Sequence, residues 1–112
     1  MNTKAIYTVH ENGKEHYFFS EHAGGFSYPF AVADFLHSLK GVLNDPMSPQ
    51  KGLCAAPMLE QMKGNYLFPE EIEGKELFTA VKKEQMFQLA VKEQASFGIE
   101  IDMEQDTVSF HF

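Results

Sequence analysis

Several features that identify common classes of protein are scarce or missing in this chain of 112 residues. Cys54 is the single cysteine, so no internal disulfide can form, which fits a reducing compartment. The N-terminal stretch MNTKAIYTVHENGK is too polar to be a signal peptide, and no apolar run approaches the roughly 18 residues that span a bilayer. We therefore expect a cytoplasmic protein that does not enter membranes.

Positive charge is also scarce. Lysine and arginine total 9 against 16 acidic residues, the formal net charge is −7, and no five-residue window is strongly basic. Direct binding of nucleic acid or of an anionic membrane needs a basic surface, so both functions are disfavoured. The excess of acid favours either a protein partner with a basic surface or simple solubility.

The motifs of common enzyme classes are missing as well. No serine has a GxSxG context, and Gly24-Gly25 belongs to neither a GxGxxG nor a GxxxxGK[ST] phosphate loop. Cys54, in KGLCAAPM, has no histidine beside it in the sequence, so it is interpreted as a small buried hydrophobe rather than a nucleophile. No catalytic residue and no cofactor is assigned, and an enzyme is the less favoured class.

What the chain does contain begins with a predicted β-hairpin. Asn12-Gly13 is the preferred pair for a two-residue type I′ turn, so residues 4–10 should pair with 15–21 and Glu11 should face Lys14. In that register His10 and His16 project from opposite faces, and His22 lies roughly 20 Å along the strand from His16. The three histidines cannot share one ion, and no metal site is assigned.

Both faces of this hairpin carry large apolar side chains. Residues of one parity place Ile6 and Phe19 on one face, and the other parity places Tyr7 and Phe18 on the opposite face. A ribbon that is apolar on both sides must be covered on both sides. Helices, the middle of the chain or a second subunit could supply the cover, which leaves a homodimer open.

Two main helices are predicted in the rest of the chain. Apolar residues follow helical spacing over 30–43, after Pro29, and Asn44-Asp45-Pro46 should end that helix. A loop over 44–52 and a short helix from about Pro57 to Gly64 follow. The helical phase changes between 81 and 86, which favours a strand at 76–81 and a second helix over 83–96, closed by Gly98.

The tail GIEIDMEQDTVSFHF alternates and predicts a second hairpin. Ile99, Ile101 and Met103 should face inward together with Val108, Phe110 and Phe112, in a register that pairs Met103 with Val108. The opposite face should display Glu100, Asp102 and Glu104, about 6.6 Å apart in a straight row. A row of this kind could meet a basic groove or imitate a phosphate backbone, although a solvated strand face needs polar residues anyway.

These elements predict a single α+β domain over residues 1–112. Its expected architecture is an antiparallel sheet made from the N-terminal and C-terminal hairpins, with the two main helices on one face. The order of the strands is not specified by the pattern.

The expected function is that of a non-catalytic interaction module, a small acidic inhibitor, antagonist or adaptor acting on a protein partner. An inhibitor of a nucleic-acid-binding enzyme encoded by a phage or mobile element, such as an anti-CRISPR protein, has this size and charge. The predicted partner-binding residues are Glu100, Asp102 and Glu104 on the strand face, with Phe26 and Tyr28 as aromatic anchors in the connector before the first helix. The alternative is a small-molecule-binding domain with an apolar pocket.

Overall fold

A five-stranded mixed sheet forms the centre of the protein. The computed structural model describes residues 4–25, 27–47, 53–63 and 75–111. The strands are β1 (Ala5–Glu11), β2 (Lys14–Ser20), β3 (Thr79–Ala80), β4 (Ser96–Asp102) and β5 (Thr107–Phe110). The α-helices are α1 (Tyr28–Leu43) and α2 (Met86–Glu93), and 3-10 helices span Ala56–Gln61 and Lys83–Gln85. The strand order is β3-β2-β1-β4-β5.

The N-terminal hairpin has the predicted register. Glu11 pairs with Lys14, Val9 with His16 and Tyr7 with Phe18. Asn12 and Gly13 have φ of 54° and 75°, as a type I′ turn requires. This part of the prediction is confirmed, because the turn chemistry alone determines which residues of the two strands are opposite.

The prediction of an antiparallel sheet is wrong at the junction of the two hairpins. β1 pairs with β4 in parallel, whereas the β1–β2, β2–β3 and β4–β5 pairs are antiparallel. Alternation within each hairpin specifies its own pairing but not the direction in which the two hairpins meet. The predicted strand over 76–81 is also shorter than expected, because only Thr79 and Ala80 pair with β2.

The two α-helices lie on opposite faces of the sheet, not on one face as predicted. On one side, Val32 and Leu36 of α1 pack in the core cluster that contains Tyr7 and Ile101. On the other, Met86 of α2 packs in a smaller cluster around Ile6. Neighbouring residues of β1 point to opposite faces, so each apolar side of the hairpin has its own helix. The expectation that both sides would be covered is confirmed.

The helix boundaries differ from the predicted ones mainly at the end of α2. This helix ends at Glu93, with Gln94 in the left-handed conformation at φ 52°. Gly98, expected to close the helix, instead lies within β4. The short helix predicted at Pro57–Gly64 is the 3-10 helix Ala56–Gln61. Among the described residues, none of the helices combines the length and hydropathy that crossing a bilayer requires.

The C-terminal hairpin forms with its register shifted from the prediction. Ile101 pairs with Val108 and Asp102 with Thr107, so Met103 lies in the connecting turn instead of facing Val108. A shift by two residues keeps the same parity, and Ile99, Ile101 and Met103 are all buried as expected. Phe112 lies outside the described residues.

Candidate functional site

One half of the sheet face that carries α2 displays polar side chains instead of packing against the helix. His10 pairs with Glu15 on β2 and with Asp102 on β4, while Glu100 pairs with Ser109 on β5. Val9, which precedes His10, and Ile101, which lies between Glu100 and Asp102, point to the α1 side, where they are buried. We call this surface the acidic face, and it consists of His10, Glu15, Glu100, Asp102, Glu104, Thr107 and Ser109.

The acidic face is concave. These residues line a shallow pocket of about 300 Å³, together with Glu11, Gly13 and Lys14 of the first hairpin. Four of the lining carboxylates are reached by solvent, and they belong to Glu15, Glu100, Asp102 and Glu104. Lys14 is the one lysine among the described residues that line the pocket, and no arginine lines it. Carboxylates in a concave surface reinforce one another's potential, so the pocket attracts positive charge.

Glu100 is part of a chain of side chains that runs from β2 across β1 and β4 to His111, the residue after β5. Its Oε2 lies 2.9 Å from His111 Nε2, and its Oε1 lies 3.7 Å from His10 Nε2. The other ring nitrogen of His10, Nδ1, lies 3.8 Å from Glu15 Oε1. Glu100 therefore lies between two imidazole rings, those of His10 and His111.

Glu15 has a second partner in Tyr17, the next residue but one along β2. The Tyr17 hydroxyl donates a hydrogen bond to the Glu15 carboxylate. This bond lowers the pKa of Glu15 below its ordinary value and raises the pKa of Tyr17 to about 12. Because the pKa of Glu15 is lowered, its contribution to stability is complete above the ordinary pKa and is lost as pH falls. Glu15 therefore keeps its negative charge throughout the neutral range.

The structure places Glu100 and Asp102 on one strand face, as the alternation predicts, but it does not continue the row to Glu104. Asp102 Oδ1 accepts hydrogen bonds from the backbone N–H groups of Glu104, at 2.9 Å, and Gln105, at 3.1 Å. Glu104 lies in the turn that follows β4, and its carboxylate accepts the backbone N–H of Asn12. Asp102 thus shapes one hairpin turn, and Glu104 connects it to the other.

Of the two predicted aromatic anchors, only Tyr28 is among the described residues, and it does not extend the acidic face. Phe26 lies outside the described residues. Tyr28 is the first residue of α1 and is half-buried against the core cluster on the α1 side of the sheet. Tyr28 and the carboxylates are therefore on opposite sides of the sheet, so they do not form one continuous surface.

Sequence reasoning missed two residues at the first hairpin that the structure makes prominent. Glu11 is completely buried, and its carboxylate accepts the backbone N–H groups of Ala55 and Ala56 at 2.7 and 2.9 Å. Cys54 lies beside this contact, with its Sγ 3.5 Å from Asn12 Nδ2. The hairpin register puts Glu11 on the apolar α1 side, which was a signal that this acid is buried. No local pattern places Cys54 there.

Comparison with protein-family models, with curated proteins and with solved structures gave no match.

Proposed function

We propose that this protein is a non-catalytic interaction module that holds a basic segment of a protein partner on the acidic face. The observation that carries the proposal is the shallow pocket whose described lining holds four solvent-facing acids, Glu15, Glu100, Asp102 and Glu104, and one lysine, Lys14. The net charge of −7 adds a long-range attraction for the same kind of partner.

The partners of the carboxylates support binding rather than catalysis. Asp102 and Glu104 hold backbone N–H groups of the two hairpin turns, so they are tied to the architecture. Glu15 and Glu100 are the acids whose neighbours are side chains. An acid–base pair made of two carboxyl groups needs one of them kept protonated by an enclosed apolar site, whereas the pKa of Glu15 is lowered. Glu15 and Glu100 are therefore the best residues at which to test recognition.

More narrowly, we propose that the protein acts as an inhibitor. A concave acidic surface presented by a rigid sheet has the charge that suits a groove built for a phosphate backbone. In this role the protein occupies the basic groove of a nucleic-acid-binding enzyme, as an anti-CRISPR protein from a phage would. An adaptor that recruits a basic partner without blocking it is the other member of the class.

The test is a charge reversal on the acidic face. In a Glu15→Lys/Glu100→Lys variant, we expect capture of the partner from a lysate of the native host to fall at least about tenfold. The reason is that like charges brought together in an interface cost several kcal/mol. The measurement is affinity purification with quantitative mass spectrometry at low and high salt, since screening should weaken capture by the unaltered protein.

A matched control keeps the same net charge but leaves the acidic face intact. Asp34 on α1 and Glu60 on the 3-10 helix are exposed acids outside the acidic face. The Asp34→Lys/Glu60→Lys variant should capture the partner nearly as well as the unaltered protein. Equal loss in both variants would mean that total charge, not the acidic face, determines capture. Equal retention in both would rule the proposal out.

A second candidate function is small-molecule binding, and it has an observation of its own. A groove of about 480 Å³ lies between α2 and the β3 edge of the sheet, lined by apolar Phe19, Val81 and Leu89 among polar residues. This volume is within the range of ligand pockets. A ligand at about 100 times its dissociation constant should stabilise the fold by about 2.7 kcal/mol in a thermal-shift screen. A Leu89→Arg variant should lose that shift, and a screen of metabolites without any shift would count against this function.

A further inference from the structure

Three potential metal ligands meet on the α1 side of the first hairpin, away from the acidic face. They are Glu11 at the end of β1, His16 on β2 and Cys54 before the 3-10 helix Ala56–Gln61. One ligand atom from each, a carboxylate oxygen, a ring nitrogen and the sulfur, lies within 4.8 Å of the other two. The chain thus brings S, N and O donors together from three separate segments.

The architecture holds these side chains in place. Val9 pairs with His16 and Glu11 with Lys14, so Glu11 and His16 share a face and are diagonal neighbours across the turn. Glu11 also accepts the N–H groups of Ala55 and Ala56, the two residues directly after Cys54. The contact that anchors the 3-10 helix therefore also positions the thiol. A preorganised group of this kind costs little further ordering when it binds.

The His16 ring has an unmet bonding requirement. Its Nε2 atom is buried and makes no hydrogen bond among the described residues. A buried polar atom without a partner is costly, and a bound ion on the ring is one way to remove that cost. Glu11 retains capacity as well, because each of its oxygens accepts only one backbone N–H and has a second lone pair.

The charges around the group favour a divalent cation. Glu11 is a carboxylate, and Cys54 becomes a thiolate when it binds a metal, releasing its proton to solvent. Lys40 opposes part of this charge, since its Nζ lies 3.7 Å from Glu11 Oε2. The carboxylate and the thiolate together carry two negative charges, which balance the charge of a dication, and Lys40 lies at the edge of the group on the Glu11 side.

We propose that Glu11, His16 and Cys54 form a site for a zinc-class metal ion. Zinc accepts thiolate, imidazole and carboxylate ligands together, and bonds of about 2.0–2.3 Å in a tetrahedron put ligand atoms roughly 3.3–3.8 Å apart. Atoms that are within 4.8 Å of one another need to move closer by at most about 1.0–1.5 Å. Three protein ligands leave one position for water or for a ligand atom of a partner.

The test is a titration of the full chain with Co²⁺ under a non-thiol reductant, followed by displacement with Zn²⁺. We expect one ion per chain and a thiolate-to-cobalt charge-transfer band that Zn²⁺ removes. The band requires a Co–S bond, so a purely structural role of Cys54 would not produce it. Cys54→Ser should abolish the band. Loss of a residue that only hydrogen-bonds to a metal ligand weakens metal binding by roughly 10- to 100-fold. Because His16 is proposed as a ligand itself, His16→Gln should weaken Zn²⁺ binding by more than that.

His22→Gln is the matched control. His22 is also partly buried, and its Nδ1 likewise has no hydrogen-bond partner among the described residues, but it is not part of the group. This variant should bind Co²⁺ as the unaltered protein does. Thermal unfolding of each metal-free variant shows whether it folds. The proposal is overturned if a folded chain gives no charge-transfer band, if the band survives in Cys54→Ser, or if His22→Gln weakens binding as much as His16→Gln.

Discussion

Replacing Glu11 with alanine should lower the free energy of unfolding by about 3 kcal/mol, because the buried carboxylate has partners that nothing else in the site can satisfy. Glu11 is 0% exposed and accepts the N–H groups of Ala55 and Ala56. In the alanine variant these two donors lose their acceptor, and the ammonium of Lys40 loses the charge that faces it. The 3-10 helix then loses its main polar connection to β1.

The measurement is urea denaturation in the presence of a chelator, so that loss of a bound metal contributes nothing to the difference. Glu11→Gln should lie between the unaltered protein and Glu11→Ala, because the amide oxygen can accept one N–H but the charge is gone. Glu60→Ala removes an exposed acid from the 3-10 helix itself and should change stability by no more than about 0.5 kcal/mol. If Glu11→Ala matches Glu60→Ala, the buried carboxylate does not stabilise the fold.

The parts of the fold that the sequence predicts correctly depend on local chemistry. Asn12-Gly13 requires positive φ at two successive positions, so one turn type determines the whole register of the first hairpin. Alternation in the tail determines which side of β4 is buried, and Ile99 and Ile101 are buried as predicted. The register of the second hairpin was missed by two residues, because parity does not distinguish Met103 from Ile101 as the partner of Val108.

The errors in the overall topology concern relations between distant segments. The parallel pairing of β1 with β4 joins segments about 90 residues apart, and no local signal encodes its direction. Placement of the two α-helices on opposite faces likewise depends on long-range packing, of α1 in the cluster that contains Tyr7 and of α2 in the cluster around Ile6. Glu104 does not lie in the predicted row, and its carboxylate instead accepts a hydrogen bond from Asn12, which is far away in the sequence.

The residues of the candidate sites were also predictable only where a local pattern determines their position. Glu100 and Asp102 were found from alternation, since a single strand is enough to place both on one face. The proximity of Glu11 and His16 could have been found from the hairpin register, but that of Cys54 depends on hydrogen bonds to Ala55 and Ala56. Cys54 was interpreted as a small hydrophobe from its neighbours in the sequence. In the folded chain it lies beside the imidazole of His16 and the carboxylate of Glu11.

Gly98 lies within β4, and a single added methyl group there should disturb the sheet. Its φ is 111°, a region that L-residues rarely adopt, and a Cβ there would lie 2.6 Å from the backbone oxygen of His111. Gly98 is next to the irregularity in the β1–β4 pairing, and its carbonyl accepts the His111 N–H at 2.9 Å. Because the clash is with backbone, the end of β5 must move.

We therefore expect Gly98→Ala to destabilise the protein by about 3 kcal/mol, from the cost of the positive φ and the displaced strand. Gly41→Ala is the matched control, because Gly41 is in α1 and an added Cβ meets no heavy atom within 4 Å. There the same change should stabilise by up to about 1 kcal/mol, through helix propensity. Chemical denaturation gives the free energy of unfolding of both variants. The hydrogen bond between His111 and Glu100 should weaken only in Gly98→Ala. Two changes of the same sign would contradict the role assigned to Gly98, since the opposite signs follow from its backbone conformation and its contact with β5.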